Sequence, residues 1–217
     1  GGFYADGSSD RTTAVTNSIL SGNTANSGGA GLFIDGVATV INSLMISNLP
    51  SEGIYLNGVG DNYILNSIFI DNDNYDVVGA PDVTATIANN YIDESKIDMD
   101  ATTSENIFDG NLDFADETMG DFHIGPASIL IDEGTTAFSG ITFPDGDFDG
   151  NLRVVGASID IGPYEFSATR PIIDYFTYSG FPEVLSEITF TIAATPDTGR
   201  TIETYEIDFG DGIFMPA

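Results

Sequence analysis

Val40-Ile41-Asn42-Ser43-Leu44-Met45 and Ile64-Leu65-Asn66-Ser67-Ile68-Phe69 are near-copies of one another. Two further segments align with them, Val15-Thr16-Asn17-Ser18-Ile19-Leu20 before and Ile87-Ala88-Asn89-Asn90-Tyr91-Ile92 after. The central Asn recurs at 17, 42, 66 and 89, with spacings of 25, 24 and 23. Between the copies runs a second motif, Gly31-Leu32-Phe33-Ile34-Asp35-Gly36 and Gly53-Ile54-Tyr55-Leu56-Asn57-Gly58, with a weaker copy at Gly2-Phe3-Tyr4-Ala5-Asp6-Gly7. The unit is about two dozen residues long, with two short β-rich runs and Gly/Asn/Asp turns.

That period selects an architecture. At about 3.3 Å per residue, some 24 residues make three short strands with turns, which is one coil of a parallel β-helix. Helical repeats are longer and carry a 3.6-residue period that is absent here. The regular Leu spacing of a leucine-rich repeat is missing, and four antiparallel strands of a propeller blade do not fit. The expected fold is therefore all-β, a right-handed parallel β-helix (solenoid). On strict strand alternation Val15, Asn17 and Ile19 share one face, as do Ile64, Asn66 and Ile68. Each Asn then either points inward or sits at a bend. Stacked coil on coil, such residues form an amide ladder, pairing polar groups that would cost about 1–3 kcal/mol each to bury unpaired.

Charge narrows the function. The 217 residues include 34 acidic and 5 basic side chains, a formal net charge of -29. Such a field repels nucleic acid, anionic polysaccharide and anionic lipid, attracts divalent cations and favours solubility. Hydrophobic residues make up 41%, enough for a packed core. There is no Cys, which excludes disulfides, thiolate metal sites and a Cys nucleophile. No apolar run approaches the roughly 18 residues of a membrane span, so no membrane insertion is expected. The opening Gly-Gly-Phe-Tyr has neither an initiator Met nor a signal peptide and reads as the start of a processed or partial polypeptide.

Beyond residue 106 the repeat gives way to a series of short motifs. They are Asn111-Leu112-Asp113-Phe114, Gly120-Asp121-Phe122-His123-Ile124 and Ser128-Ile129-Leu130-Ile131-Asp132-Glu133-Gly134-Thr135. Then come Asp145-Gly146-Asp147-Phe148-Asp149-Gly150-Asn151-Leu152-Arg153 and Ile159-Asp160-Ile161-Gly162-Pro163-Tyr164-Glu165-Phe166. The series resembles the terminal cap of secreted right-handed β-helix repeat proteins of the choice-of-anchor type. It departs from them at Ile129-Leu130 and at Pro163. The resemblance implies a secreted or surface β-helix, usually without assigned catalysis. After a short linker, Tyr205-Glu206-Ile207-Asp208-Phe209-Gly210-Asp211-Gly212 resembles the signature of a PKD domain, an immunoglobulin-like sandwich. Ile188, Phe190 and Ile192 alternate with Thr189 and Thr191 as a half-buried strand should. The resemblance covers about half of such a domain. A half sandwich exposes an edge and a core face, so strands are expected either from a continuing chain or from a partner by β-strand addition.

One stretch carries candidate metal chemistry. Asp145, Asp147 and Asp149 satisfy the D-x-D-x-D-G opening of a calcium loop, but Gly156 stands where an EF-hand needs Glu. Calcium at Asp145, Asp147 and Asp149 is weighed against a solvated acidic turn. Asp71, Asp73 and Asp76 form a second acidic cluster, and Asp208 and Asp211 read as turn formers. The enzyme alternative is a polysaccharide lyase or glycoside hydrolase, or a glycan-binding module, on a β-helix. A lyase base is hard to find, because the only basic residues of the helix region are Arg11, Lys96 and Arg153. No pair of carboxylates stands out on adjacent coils. The one His, His123, is expected to pack or hydrogen-bond within its motif.

The expectation is a parallel β-helix with C-terminal cap at 1–166, a linker at 167–170 and a partial PKD-like sandwich at 171–217. Its function is a non-catalytic, extracellular or cell-surface prokaryotic structural role: an adhesin-like stalk or filament subunit. Partners are expected through self-association or other surface proteins, with strand completion of the sandwich, and glycans under the rival view.

Overall fold

A computed structural model describes residues 2–6 and 11–167, together with the strands Ile172–Ser179, Thr189–Thr195, Glu206–Asp208 and Phe214–Pro216. The chain divides into two compact units, Gly1–Phe166 and Ser167–Ala217.

The first unit is a parallel β-solenoid of about four coils. The first coil contributes β1 (Phe3–Asp6), β2 (Thr12–Thr16) and β3 (Ile19–Ser21). The second contributes β4 (Leu32–Asp35), β5 (Val37–Ile41) and β6 (Leu44–Ile46), and the third β7 (Ile54–Leu56), β8 (Asn62–Leu65) and β9 (Ile68–Ile70). Then follow β10 (Val77–Gly79), β11 (Thr84–Ala88), β12 (Ile97–Asp98) and β13 (Asp100–Ser104). They stack as three parallel sheets, β1-β4-β7-β10-β12, β2-β5-β8-β11-β13 and β3-β6-β9. The repeat is the register. Val15 pairs with Val40, Val40 with Ile64 and Ile64 with Ile87, while Ile19, Leu44, Ile68 and Tyr91 stack in the third column.

The recurring Asn makes the bend. Asn17, Asn42, Asn66 and Asn89 have φ of 44°, 50°, 49° and 54°. Asn is the side-chain-bearing residue that enters this left-handed region at least cost. The bend corrects one expectation: Val15, Asn17 and Ile19 do not share a face. The chain turns at the Asn and the pleat restarts, so Val40 and Met45 enter the interior core while Leu44 and Ile46 point away from it. The ladder also differs from expectation, for it is not built from the bend residues. Asn23 Nδ2 donates to Asn48 Oδ1 at 3.0 Å and Asn48 Nδ2 to Asn72 Oδ1 at 3.0 Å. A parallel column runs Ser18, Ser43, Ser67, Asn90 and Asn106, each backbone N–H donating to the next side-chain oxygen.

Two cores result. Inside the solenoid, Leu32, Ile34, Val40, Met45, Ile54 and Ile64 belong to one buried stack, each such side chain contributing about 1.5–3 kcal/mol. Outside β3-β6-β9, Leu44, Ile46 and Ile68 meet Phe122, Ile124, Leu130, Ile161 and Tyr164. The chain beyond the last coil thus folds back over the third sheet, and Leu44–Ile46 is buried on both faces.

The second unit contains β16 (Ile172–Ser179) paired antiparallel with β17 (Thr189–Thr195), and β18 (Glu206–Asp208) paired antiparallel with β19 (Phe214–Pro216), once the cap strands β14 (Phe114–Asp116) and β15 (Asp121–Ile124) are counted. Ile188, most of the signature Tyr205–Gly212 and residues 168–171 lie outside the described residues. So does the expected sandwich that depends on them.

Candidate functional site in the C-terminal cap

Four of the five cap motifs contribute to one polar cluster. The first two form the hairpin β14–β15, which turns at Gly120 (φ 78°), a conformation that glycine adopts without strain. On β15 His123 Nδ1 lies 2.5 Å from Asp121 Oδ1, and Nε2 lies 2.8 Å from Asp149 Oδ2. Its ring stacks on Tyr164 at 4.0 Å. Burial pushes the His123 pKa down, but hydrogen bonds to Asp149 and Asp121 outweigh burial and the net shift is upward. A protonated imidazole donates from both nitrogens and so satisfies both carboxylates.

Asp145, Asp147 and Asp149 are not brought to a common point. Asp147 is turned inward and buried, and all its acceptor capacity is used. Its Oδ1 accepts from Asp149 N at 3.0 Å and Asn151 N at 2.8 Å; its Oδ2 accepts from Glu165 N at 3.2 Å and Asn151 Nδ2 at 3.3 Å. Asp149 faces His123, and Asp145 is exposed. Among the described residues no group of three or more His, Cys, Asp or Glu side chains is arranged to hold a metal ion. Asp71, Asp73 and Asp76 are likewise separated. Asp76 is buried, accepts from Asn72 Nδ2 at 2.9 Å at the end of the amide ladder, and has its pKa raised by burial.

Arg153, 2% exposed, is the centre of the cluster. Its guanidinium donates to the carbonyls of Pro163 and Asp160 at 3.0 Å and to that of Gly162, and its Nε sits 3.3 Å from Glu165 Oε1. Burial pushes the Glu165 carboxyl up to about 8 even though Arg153 pulls it down. Asp160 accepts from Asp132 N at 2.7 Å and from Phe166 N, while Asp132 accepts from Ala157 N at 2.6 Å and Ser158 N at 2.9 Å. Asp147 and Arg153 of the fourth motif and Asp160 of the fifth therefore bind backbone groups of other motifs. These residues were legible as motifs. Their mutual contacts were not, although Arg153, one of only five basic residues, was a signal.

The bend asparagines receive the returning chain. Asn66 accepts from Thr135 N and donates to Thr135 O, both at 2.9 Å. Asn17 Nδ2 donates to Gly146 O at 2.7 Å and Asn89 Nδ2 reaches Glu133 O at 3.5 Å. Asn42 is fully buried and neither atom of its amide is paired.

Two other surfaces bear on the enzyme and glycan alternatives. Tyr4, Phe33 and Tyr55 stack face to face outside the first sheet, at 5.0 and 5.2 Å with interplanar angles of 23° and 9°. The stack uses both faces of Phe33 and one face each of Tyr4 and Tyr55. An open groove of about 730 Å³ lies beside Ile141, Phe143, Leu152 and Val154, with Asp145 as its only carboxylate. Glycoside hydrolysis uses two.

Comparisons of the chain with protein-family models, with curated proteins and with solved structures find no match.

Proposed function

We propose that this chain is a non-catalytic structural segment of an extracellular or cell-surface prokaryotic protein, a stiff stalk related to the choice-of-anchor β-helix proteins and leading into a PKD-like module. The observation that carries this reading is the clasp. Residues 122–166 return along the solenoid, bury its third sheet and bind coils one, three and four through Asn17, Asn66 and Asn89. A rod tied along its length resists bending and local opening, which suits a spacer rather than a catalyst. The carboxylates and the guanidinium that would interest an enzymologist, Asp147, Asp160, Glu165 and Arg153, are used in holding the clasp. Calcium has no part in this reading, because Asp147 is already saturated by N–H donors.

The test pairs mechanics with activity. Single-molecule pulling on residues 1–166 between two reference domains should give one cooperative, high-force event, weakened by Asn66→Gly. Incubation with a panel of neutral and acidic polysaccharides should release neither reducing ends nor unsaturated uronides. Turnover that disappears in Asp149→Asn would sink the structural reading in favour of an enzyme.

A further inference from the structure

Among the described residues nothing covers the interior of the first coil. Phe3 lies in register with Leu32, Val15 with Val40 and Leu20 with Met45, so all three belong to the interior stack. Yet Phe3 is 51% exposed, and the three line an apolar recess of about 390 Å³. Interior side chains left open in this way forfeit their burial and leave three parallel strand edges unpaired.

The polar columns at this face have a direction. Asn23 donates its N–H and its Nδ2 to Asn48 Oδ1, at 3.1 and 3.0 Å, and Asn48 does the same to Asn72 Oδ1, at 3.2 and 3.0 Å. Each amide oxygen is filled by the coil before it. The same holds in the neighbouring column, where Ser43 Oγ takes the N–H of Ser18 and Ser67 Oγ that of Ser43. At the first coil Asn23 Oδ1 and Ser18 Oγ are the acceptors next in line. The aromatic column agrees: one face of Tyr4 is against Phe33, and the residue is 62% exposed.

We propose that this face is a docking surface for one further coil of the same repeat, with Asn above Asn23, aliphatic side chains above Phe3, Val15 and Leu20, and an aromatic ring above Tyr4. The proposal extends an interface the molecule already builds between each pair of its coils, and it stands independently of the stalk reading. A second copy of the chain fits poorly. Docked head to head, Asn23 Oδ1 would meet its own counterpart, acceptor against acceptor. Docked head to tail, it would meet a last coil whose exposed side chains include Asp98, Asp100 and Glu105.

The experiment joins a duplicate of residues 30–51 ahead of Gly1. This sets copies of Leu32, Phe33, Val40, Met45 and Asn48 above Phe3, Tyr4, Val15, Leu20 and Asn23. The expected result is a higher Tm than the 217-residue chain and at least about ten-fold slower hydrogen exchange at the amides of Thr12–Thr16. A scrambled 22-residue extension should give neither, and replacing the copied Asn48 by Leu should lose most of the gain. A duplicate that protects no better than the scrambled extension overturns the proposal. So does a 217-residue chain that sediments as a dimer and becomes monomeric when the duplicate is added, because the occupant would then be a second copy.

Discussion

Asn66 grips Thr135 with both ends of its side-chain amide, Oδ1 taking the Thr135 N–H and Nδ2 reaching the Thr135 carbonyl, each at 2.9 Å. The two residues are 69 apart in the chain. A side chain placed at a left-handed bend thereby acts as an edge strand for the segment that returns over the solenoid. Asn42, one coil earlier, has the same backbone conformation and no such partner.

That contrast gives the first prediction. Glycine keeps the left-handed bend in either case, so Asn66→Gly isolates the two amide bonds and should cost about 1–3 kcal/mol. Asn42→Gly removes an amide that is buried and unpaired, and should cost clearly less. Denaturant unfolding of the two variants, compared by midpoint, checks this. Equal losses would mean that the amide bonds to Thr135 contribute nothing.

Arg153 supplies the second prediction. Removing the Arg153 guanidinium leaves the buried carbonyls of Pro163, Asp160 and Gly162 without their donor, at about 1–3 kcal/mol for each group. Arg153→Met should therefore destabilise the cap strongly, whereas Arg153→Met with Glu165→Gln should recover part of the loss. Near-ultraviolet circular dichroism of Tyr164 and thermal melts of the single and double variants measure both effects.

The third concerns pH. Glu165 has its carboxyl raised to about 8 in the folded protein from an ordinary 4.5. Between those values the folded state keeps a proton that the unfolded state has released. Stability therefore falls as pH rises through this window and levels off above about 8, with a slope of up to about 1.4 kcal/mol per pH unit from this group. His123, also raised, acts in the same direction: its contribution is complete below its unfolded pKa and lost as pH rises through the folded one. Melts from pH 5 to 9 should show the decline, and Glu165→Gln should flatten most of it. A parent protein whose stability rises across the same range would contradict the assignment.

The fourth separates the acidic loop from calcium. With Asp147 accepting from Asp149, Asn151 and Glu165, Asp147→Ala leaves the buried Glu165 N–H and two half-buried N–H groups without acceptors and should cost about 1–3 kcal/mol. Exposed Asp145→Asn should change stability by no more than about 0.5 kcal/mol. The Tm of the parent should be the same in calcium and in chelator. A calcium-dependent rise abolished by Asp145→Asn would show a metal site where the structure shows a self-satisfied turn.

What the sequence by itself determined is the solenoid and its register. In a parallel stack each residue lies directly over its counterpart one coil away, so a spacing of 25, 24 and 23 residues between copies of Asn17 is already the pairing of Val15 with Val40, Val40 with Ile64 and Ile64 with Ile87. Periodicity is a local record of a repeated contact, and it can be read without knowing the fold. The tertiary structure decided three things that the period alone does not show. It reset the pleat at each bend, which turned Leu44 and Ile68 outward although alternation from Val40 and Ile64 had them inward. It moved the amide ladder from the bend residues to Asn23, Asn48 and Asn72. It also closed the cap motifs onto one another, so that Asp147 accepts from Glu165 N and Arg153 lies against Glu165. Each depends on which distant segments meet, and a carboxylate's role depends on whether its lone pairs face a cation or backbone N–H groups supplied from elsewhere in the chain.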